Sequence, residues 1–357
     1  MSYRFILEGE QLIMTTENEL VSSAVERIGV LTSGGDAPGM NAAIRGAVRA
    51  AGCLGIDCIG IRHGYAGLLN HDFMHLDQQV VKGITGRGGT MLYTARSSEY
   101  NTEAGVTKAA DACRHMGIEG LVVIGGDGTF RGAMDLSKHG IKVVGIPCTI
   151  DNDIGCTSYT IGFDTACNTA VDAVDRLNDT MQSHERCSVV EVMGRKAGHL
   201  ALAVGIATGA TIILVPEVKY DFNKDVIERI RAARLAGRNN FTVIVAEGAE
   251  PGYEVADKIL EATGIDTRLT MLGHIQRGGS PHVRDRVVGT SMGYKAVTLL
   301  AAGLSGKVIA MRGDKYIDLD IREAFVLTKD FDYDMYKTFS ALTFMDKNTL
   351  LQSFKST

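Results

Sequence analysis

A chain of 357 residues is longer than one hydrophobic core usually organises, so two domains are expected. A formal net charge of −5 argues against a nucleic-acid binder, and no apolar run approaches the ~20 residues of a membrane span. All seven cysteines fall between Cys53 and Cys187 without CxxC spacing, which speaks against a disulfide framework and for a reducing cytoplasm.

Residues 1–26 carry no clear period. Arg4, Glu8 and Glu10 around a short apolar stretch make a poor secretory signal, so this segment is read as an N-terminal extension. From Arg27 onward, short β-branched runs alternate with amphipathic stretches of helical length. Strands are predicted at 28–31, 58–61, 121–124, 143–146, 188–192, 211–215, 242–246 and 269–272. Helices between them include 39–51, 128–138, 164–182 and 225–236. Apolar runs bounded by turns and separated by helix-length segments are the mark of βαβ units and parallel sheet. The strands are too many for one small sheet, and a division near residue 160 gives each half its own set. The expected fold is therefore α/β, with two doubly wound, Rossmann-like αβα domains facing each other. Ligands in such folds bind beyond the carboxyl ends of the strands, where the glycine turns of this chain fall.

The first of these turns, Thr32-Ser33-Gly34-Gly35-Asp36-Ala37-Pro38-Gly39-Met40-Asn41, leaves a strand and enters a helix, with Pro38 suited to a helix start. Backbone N–H groups and the positive helix end would attract phosphate there. It is neither a Walker loop nor GxGxxG, and a plain βα turn is the competing reading. The second, Gly125-Gly126-Asp127-Gly128-Thr129, repeats the design of strand, Gly-Gly-Asp and helix. Alone it suits a tight connection with an N-capping aspartate, or the turn of a NAD or lipid kinase. Some twenty residues on comes Pro147-Cys148-Thr149-Ile150-Asp151-Asn152-Asp153. Asp151 and Asp153 repel unless a cation or donor compensates, and Ile150 and Ile154 oppose full exposure of the run. With Asp127 they supply three carboxylates, enough to share a hard divalent cation and leave one to accept a proton. Glycine turns with aspartates, and no zinc-ligand spacing, point to phosphoryl transfer. Arginines 87, 96, 186, 195, 268 and 277 form the basic complement. Each alone is an ordinary surface ion-pair partner, but several at strand ends beside glycines match phosphate bidentately. His274 reads as a hydrogen-bonding or packed histidine and Cys148 as a space-filling thiol.

Taken together, TSGGDAPGMNAAIRG, RGGT, GGDG, TIDND, IGFDTA, VVEVMGR and LGHIQRGGSP stand in the order and spacing of the phosphofructokinase family. The chain resembles the bacterial-type, ATP-dependent group of that family from about Arg27 to about Lys315. The resemblance implies transfer of phosphate from ATP to the 1-hydroxyl of fructose 6-phosphate in cytoplasmic glycolysis, assisted by Mg2+. It implies that Asp151 is the general base, that Thr149 and Arg195 steady the transferring phosphoryl, and that Asp127, supported by Asp153, serves the magnesium. On the ATP side it places Gly35, Arg96, Ser97, Gly126, Asp127, Gly128, Thr129 and Gly132. On the fructose 6-phosphate side it places Thr149, Asp151, Met193, Gly194, Arg195, Glu247, His274 and Arg277, with Arg186 and Arg268 reaching in from a neighbouring subunit of a homotetramer. It divides the chain into a nucleotide-binding domain, 27–162 plus about 277–326, and a sugar-phosphate-binding domain, 163–276 plus about 327–357.

This sequence departs from the family pattern at several places. Gly128 favours ATP, because pyrophosphate-dependent members carry a bulky aspartate there. Cys148 stands where ATP enzymes usually have glycine and pyrophosphate enzymes lysine. Ser97 and Asn101 replace the aromatic or apolar and basic residues often seen after the TAR turn, which loosens nucleotide contacts. At the family's effector site Arg45, Arg49 and Arg238 fit cationic positions, whereas Asn178 stands for an arginine, Thr211 for a glutamate, and the turn Ala236-Gly237-Arg238-Asn239-Asn240 keeps one cation where the family often has three. A weakened anionic effector response is expected. The competing readings are a pyrophosphate-dependent enzyme and a non-catalytic sugar-phosphate-binding regulatory subunit; the latter would be expected to lose Asp151 or Asp127.

Overall fold

The computed structural model describes residues 3–8, 11–16 and 23–344. Residues 345–357, the end of the expected sugar-phosphate-binding domain, lie outside the described residues, as do 1–2, 9–10 and 17–22 of the expected extension. Within that extension, β1 (Tyr3–Glu8) and β2 (Gln11–Thr16) pair antiparallel as a separate two-stranded sheet. Then follow β3 (Arg27–Thr32), α1 (Met40–Cys53), β4 (Asp57–Ile61), α2 (Gly64–Leu69), β5 (Phe73–His75), α3 (Glu103–His115), β6 (Gly120–Gly125), α4 (Asp127–Lys138) and β7 (Lys142–Pro147). The long α5 (Phe163–His184) leads into β8 (Cys187–Val192), α6 (His199–Ala207), β9 (Ile212–Leu214), α7 (Glu228–Leu235), β10 (Phe241–Ala246), α8 (Gly252–Thr263) and β11 (Thr267–Met271). The chain closes with α9 (Val283–Ala301), β12 (Lys307–Arg312), β13 (Lys315–Asp320), α10 (Ile321–Val326) and α11 (Tyr333–Phe344).

One sheet has seven strands in the order β13-β12-β7-β6-β3-β4-β5, and another has four in the order β11-β8-β10-β9. The four-stranded sheet is wholly parallel; in the larger one only the edge strands β5 and β13 run antiparallel. Because helices cover both faces, the inner strands are nearly continuous apolar runs, and the period of two sorts side chains between two cores instead of between core and water. On β6, Val122 and Ile124 join one core and Leu121 and Val123 the other. On β10, Ile244 and Ala246 likewise part from Val243 and Val245. The first of these cores is shared. It runs from Val122 and Ile146 of the large sheet through Ile161, Ala166 and Ala170 to Val190 and Ile244 of the small one. That continuity fixes the two sheets against each other and defines the cleft between them.

Several elements differ from the predicted ones. Strands β1, β2, β5, β12 and β13 lie outside the predicted set: β5 is three residues long and β13 is a partly exposed edge, whereas the buried run 308–311 of β12 carries a readable signal. The helix predicted at 225–236 starts earlier, as a π-wound turn Phe222–Ile227 that runs into α7, with Asp221 accepting from the Lys224 N–H at 2.9 Å as its cap. At α1 the N-cap is Gly39, at φ 107°, so Pro38 stands just before the cap and not inside the helix.

Candidate active site

Three turns leave the carboxyl ends of β3, β6 and β7 and meet in a cleft of about 900 Å3. The Ser33 carbonyl accepts from Thr129 Oγ1 at 3.1 Å, and the Ser33 N–H donates to the Ile124 carbonyl at 3.0 Å. A Cβ on Gly125 would lie 2.3 Å from the Ser33 oxygen, so only glycine lets the first two turns touch. Gly126 and Gly128 are different. A Cβ at either would meet nothing within 4 Å, which leaves open space at the positive end of α4. The cap of α4 is Gly126, without a side-chain bond, so the capping reading of Asp127 does not hold and its carboxylate is free to face a ligand.

The third turn is fixed by the segment that returns beside it. Cys148 bridges in parallel to Ile161, the Thr149 N–H donates to the Ile161 carbonyl at 3.0 Å, and Thr160 Oγ1 donates to the Thr149 carbonyl at 2.7 Å. Asn152 sits at φ 50° with its Oδ1 accepting from the Thr160 N–H at 3.1 Å. Between these anchors Asp151 is 4% exposed, and its Oδ1 has no hydrogen-bond partner. Burial, reinforced by the Asp153 carboxylate, pushes the Asp151 carboxyl up to about 6, with Arg195 and Arg277 opposing. Burial and then Asp153 likewise raise Asp127 above the usual carboxylate range, against the pull of Arg131 and Arg195. Cys148 is buried beside them, its thiol pushed well up by burial, as suits a residue that fills space.

The opposite wall comes from the end of β8. Arg195 adopts φ 54°, a region costly for a non-glycine residue, and Gly194 precedes it at φ 146°. Glu247 holds this turn: its Oε1 accepts from the Gly194 N–H at 3.1 Å and the Arg195 N–H at 2.6 Å, while its own N–H donates to the Val192 carbonyl at 2.9 Å. Arg195 thereby lines the cleft with Arg277, which lies in the short 3-10 turn Gly273–Arg277.

Of the predicted residues, Gly35, Arg96, Ser97, Gly126, Asp127, Gly128, Thr129, Gly132, Thr149, Asp151, Asp153, Arg195 and Arg277 all line this one cleft. Met193 and Gly194 precede Arg195 after β8, Glu247 holds their turn, and His274 is exposed on the turn that carries Arg277. Arg186 and Arg268 do not line it. Both bind Asp266, at 2.6 and 3.1 Å, at the amino ends of β8 and β11, the ends away from Arg195. Arg45 and Arg49 lie on α1 and Arg238 is exposed after α7. Asn178 and Thr211 are joined through Thr242, whose Oγ1 donates to Asn178 Oδ1 at 2.6 Å and whose N–H donates to Thr211 Oγ1 at 3.2 Å.

The sequence reading missed the floor of the cleft. Tyr65 and Tyr100 stack with ring centroids 4.2 Å apart, Tyr100 donating to the Gly132 carbonyl at 2.6 Å and Tyr65 to the Thr129 carbonyl. The available signal was Gly132 itself. A glycine inside a helix costs stability, and here a Cβ would lie 2.7 Å from the Tyr65 ring.

A buried carboxylate with an unpartnered oxygen, two guanidinium groups and an open glycine turn at a helix N-terminus suit the transfer of an anionic group to a hydroxyl. Known proteins agree with that chemistry. Residues 27–300 match the family described as Phosphofructokinase. The chain is 49% identical over 319 residues to a protein of Natranaerobius thermophilus named ATP-dependent 6-phosphofructokinase, covering 89% of this chain and 100% of that one. It is 52% identical over 309 residues to a protein of the same name from Clostridium botulinum, covering 87% and 97%. Among solved structures, the phosphofructokinase of Saccharomyces cerevisiae superposes with a TM-score of 0.83 at 33% identity, over 89% of this chain but half of the longer yeast chain. A pyrophosphate-dependent phosphofructokinase of Marinobacter aquaeolei superposes at 0.78 with 20% identity, over 87% and 86%, and so shares the fold. The chain belongs to the phosphofructokinase family.

Proposed function

We propose that this chain is an ATP-dependent 6-phosphofructokinase that phosphorylates the 1-hydroxyl of fructose 6-phosphate, with Asp151 as the general base. The observation that carries the reading is Asp151 Oδ1, a buried carboxylate oxygen without a partner on a residue that lines the cleft. Such an atom costs stability unless a ligand satisfies it, and a sugar hydroxyl is the donor it lacks. A carboxyl held near 6 is ionised at neutral pH yet more basic than an ordinary aspartate, which suits it to take the hydroxyl proton. Arg195, held by Glu247, and the Thr149 hydroxyl face the same space and would stabilise charge on the phosphoryl in flight. Gly126, Gly128 and the amino end of α4 would cradle the nucleotide phosphates, with Gly35, Arg96, Ser97 and Thr129 around them.

The residues present fit magnesium. Burial and the neighbouring Asp153 carboxylate raise the cost of ionising Asp127, and among the described residues no three His, Cys, Asp or Glu side chains converge on a metal site. Two carboxylates without further protein ligands suit a hard ion that takes its remaining oxygens from phosphate and water. When bound, Mg2+ would neutralise charge on the phosphates. On this reading 27–162 with about 277–326 is the nucleotide-binding part, and 163–276 with the end of the chain is the sugar-phosphate-binding part. Met193, Gly194, His274 and Arg277 then serve the sugar phosphate. Arg186 and Arg268, far from their own cleft, would serve that of a neighbouring subunit, which implies an oligomer and fits the exposed Met271, Ile275, Val283 and Val287. Among the described residues no helix is long and apolar enough to cross a membrane, and a cytoplasmic location is inferred from the reaction.

The deciding assay compares donors. With Mg2+ and fructose 6-phosphate, ATP should support turnover and pyrophosphate less than about one per cent of it, a difference of more than about 2.7 kcal/mol in transition-state stabilisation. Faster turnover with pyrophosphate would overturn the donor assignment, and none with either would overturn the enzyme reading.

We also infer a muted effector response. Where the family uses an arginine and a glutamate, Asn178, Thr211 and Thr242 satisfy one another as neutral partners. Each charge-assisted contact so lost is worth about 1.5–3 kcal/mol, enough to weaken an anion by one to two orders of magnitude. Fructose 6-phosphate saturation curves with and without ADP or phosphoenolpyruvate should nearly coincide; a large shift at low effector concentration would contradict this.

A further inference from the structure

Asp285 has no part in the chemistry described so far, yet it is the most completely engaged carboxylate near the cleft. It is fully buried on the third residue of α9. Its Oδ1 accepts from the Tyr159 hydroxyl at 2.5 Å and the Gly162 N–H at 2.6 Å. Its Oδ2 accepts from the Thr165 N–H at 2.9 Å and the Thr165 hydroxyl at 2.5 Å. A carboxylate offers about four lone-pair sites, and all of them are filled. Burying an ionised group is tolerable only with such a full set of donors.

All the donors belong to one segment, 159–165, and that segment fixes the Asp151 turn. Ile161 exchanges backbone hydrogen bonds with the turn, its N–H donating to the Pro147 carbonyl at 3.1 Å and its carbonyl accepting from the Thr149 N–H at 3.0 Å. Thr160 grips the turn on both sides of Asp151, at the Thr149 carbonyl and at Asn152 Oδ1. The first glycine turn arrives at the same point, where a Cβ on Gly39 would lie 2.5 Å from Ile161 and 3.1 Å from Asp285 Cβ. The loop that carries Arg277 is tied in as well, because the His282 N–H donates to Thr165 Oγ1 at 2.9 Å. Arg284 completes the packing, its guanidinium 4.3 Å from the centre of the Tyr159 ring.

We propose that Asp285 is a positioning residue for the phosphoryl-transfer reaction: by gathering Tyr159, Gly162 and Thr165 it sets where Asp151 stands relative to the bound sugar. This rests on Asp151 being the base. A carboxylate is required and an amide is not equivalent, since the NH2 of asparagine would face two of the four donors, one of them a backbone N–H that cannot accept in return, and push the segment away.

The test is Asp285→Asn, with folding checked by thermal melting, and its combination with Asp151→Asn. A misplacement of the order of 1 Å can cost about 100-fold in rate, so kcat should fall about 10- to 100-fold, with KM for ATP changed by less than about threefold. In the Asp151→Asn background the same substitution should cost less than about twofold, because residues acting through one group are not additive. A general loss of packing would lower the rate by the same factor in both backgrounds, and that result overturns the proposal. So does a kcat for Asp285→Asn within about twofold of the parent. If Asp285→Asn does not fold, Tyr159→Phe, which removes a single donor, decides by the same cycle. Near-normal turnover of Asp151→Asn alone would instead refute the base assignment.

Discussion

Replacing Asp151 by serine should lower turnover by about 10^2- to 10^4-fold, the range general-base catalysis supplies, while fructose 6-phosphate still binds. Equilibrium binding of the sugar phosphate, followed by isothermal calorimetry, separates the two effects, and near-normal turnover would remove Asp151 from the mechanism. The intact enzyme should show a matching acid limb, with kcat/KM falling as pH drops through about 6, where the Asp151 carboxyl takes up its proton. Stability should move the other way. A carboxyl raised from 3.8 to about 6 binds its proton more tightly in the folded state than in the unfolded chain. The protein therefore loses stability as pH rises through that window, and above it carries the whole penalty of an ionised buried group, about 2–3 kcal/mol. Asp151→Asn should then melt higher than the parent at pH 7–8, with the advantage gone below about pH 4. A less active and more stable variant is the signature of a residue kept for function.

Most of the fold was legible because helices cover both faces of each sheet. That makes the inner strands nearly continuous apolar runs, as in the six buried residues of β6, and such runs between glycine turns are the clearest signal a sequence carries. What escaped was what the rule does not reach. Edge strand β13 has partly exposed side chains throughout, and the three residues of β5 are too few for a period. The site was legible for a different reason. Its backbone needs glycine at fixed places, and its carboxylates stand in short order along two adjacent turns. Tyr65, Tyr100 and Asp285 were not, because each acts by a contact made across a long stretch of chain: Asp285 lies 126 residues from Tyr159. Spacing records neighbours along the chain, and a buried carboxylate meeting four donors is a fact of the fold alone.

The donor preference leads to the other large effect. Gly128 is the second residue of α4, and a Cβ there would touch nothing within 4 Å. Aspartate at that point should not disturb the fold, because a helix favours an acid in its first turn and disfavours glycine, each by a few tenths to about 1 kcal/mol. The melting temperature of Gly128→Asp should stay within a few degrees of the parent. The charge would, however, stand in the space open at the amino end of α4, beside Asp127 and in a cleft that already crowds Asp127 against Asp153. A third carboxylate there repels a nucleotide polyphosphate and occupies the volume it needs. We expect kcat/KM for ATP to fall more than about 100-fold, which is about 2.7 kcal/mol of lost transition-state stabilisation. The effect should lie mainly with the nucleotide, leaving fructose 6-phosphate binding near that of the parent. An unchanged kcat/KM for ATP in a folded Gly128→Asp enzyme would mean that the nucleotide passes elsewhere in the cleft, and the roles given to Gly126, Gly128 and Thr129 would fall together.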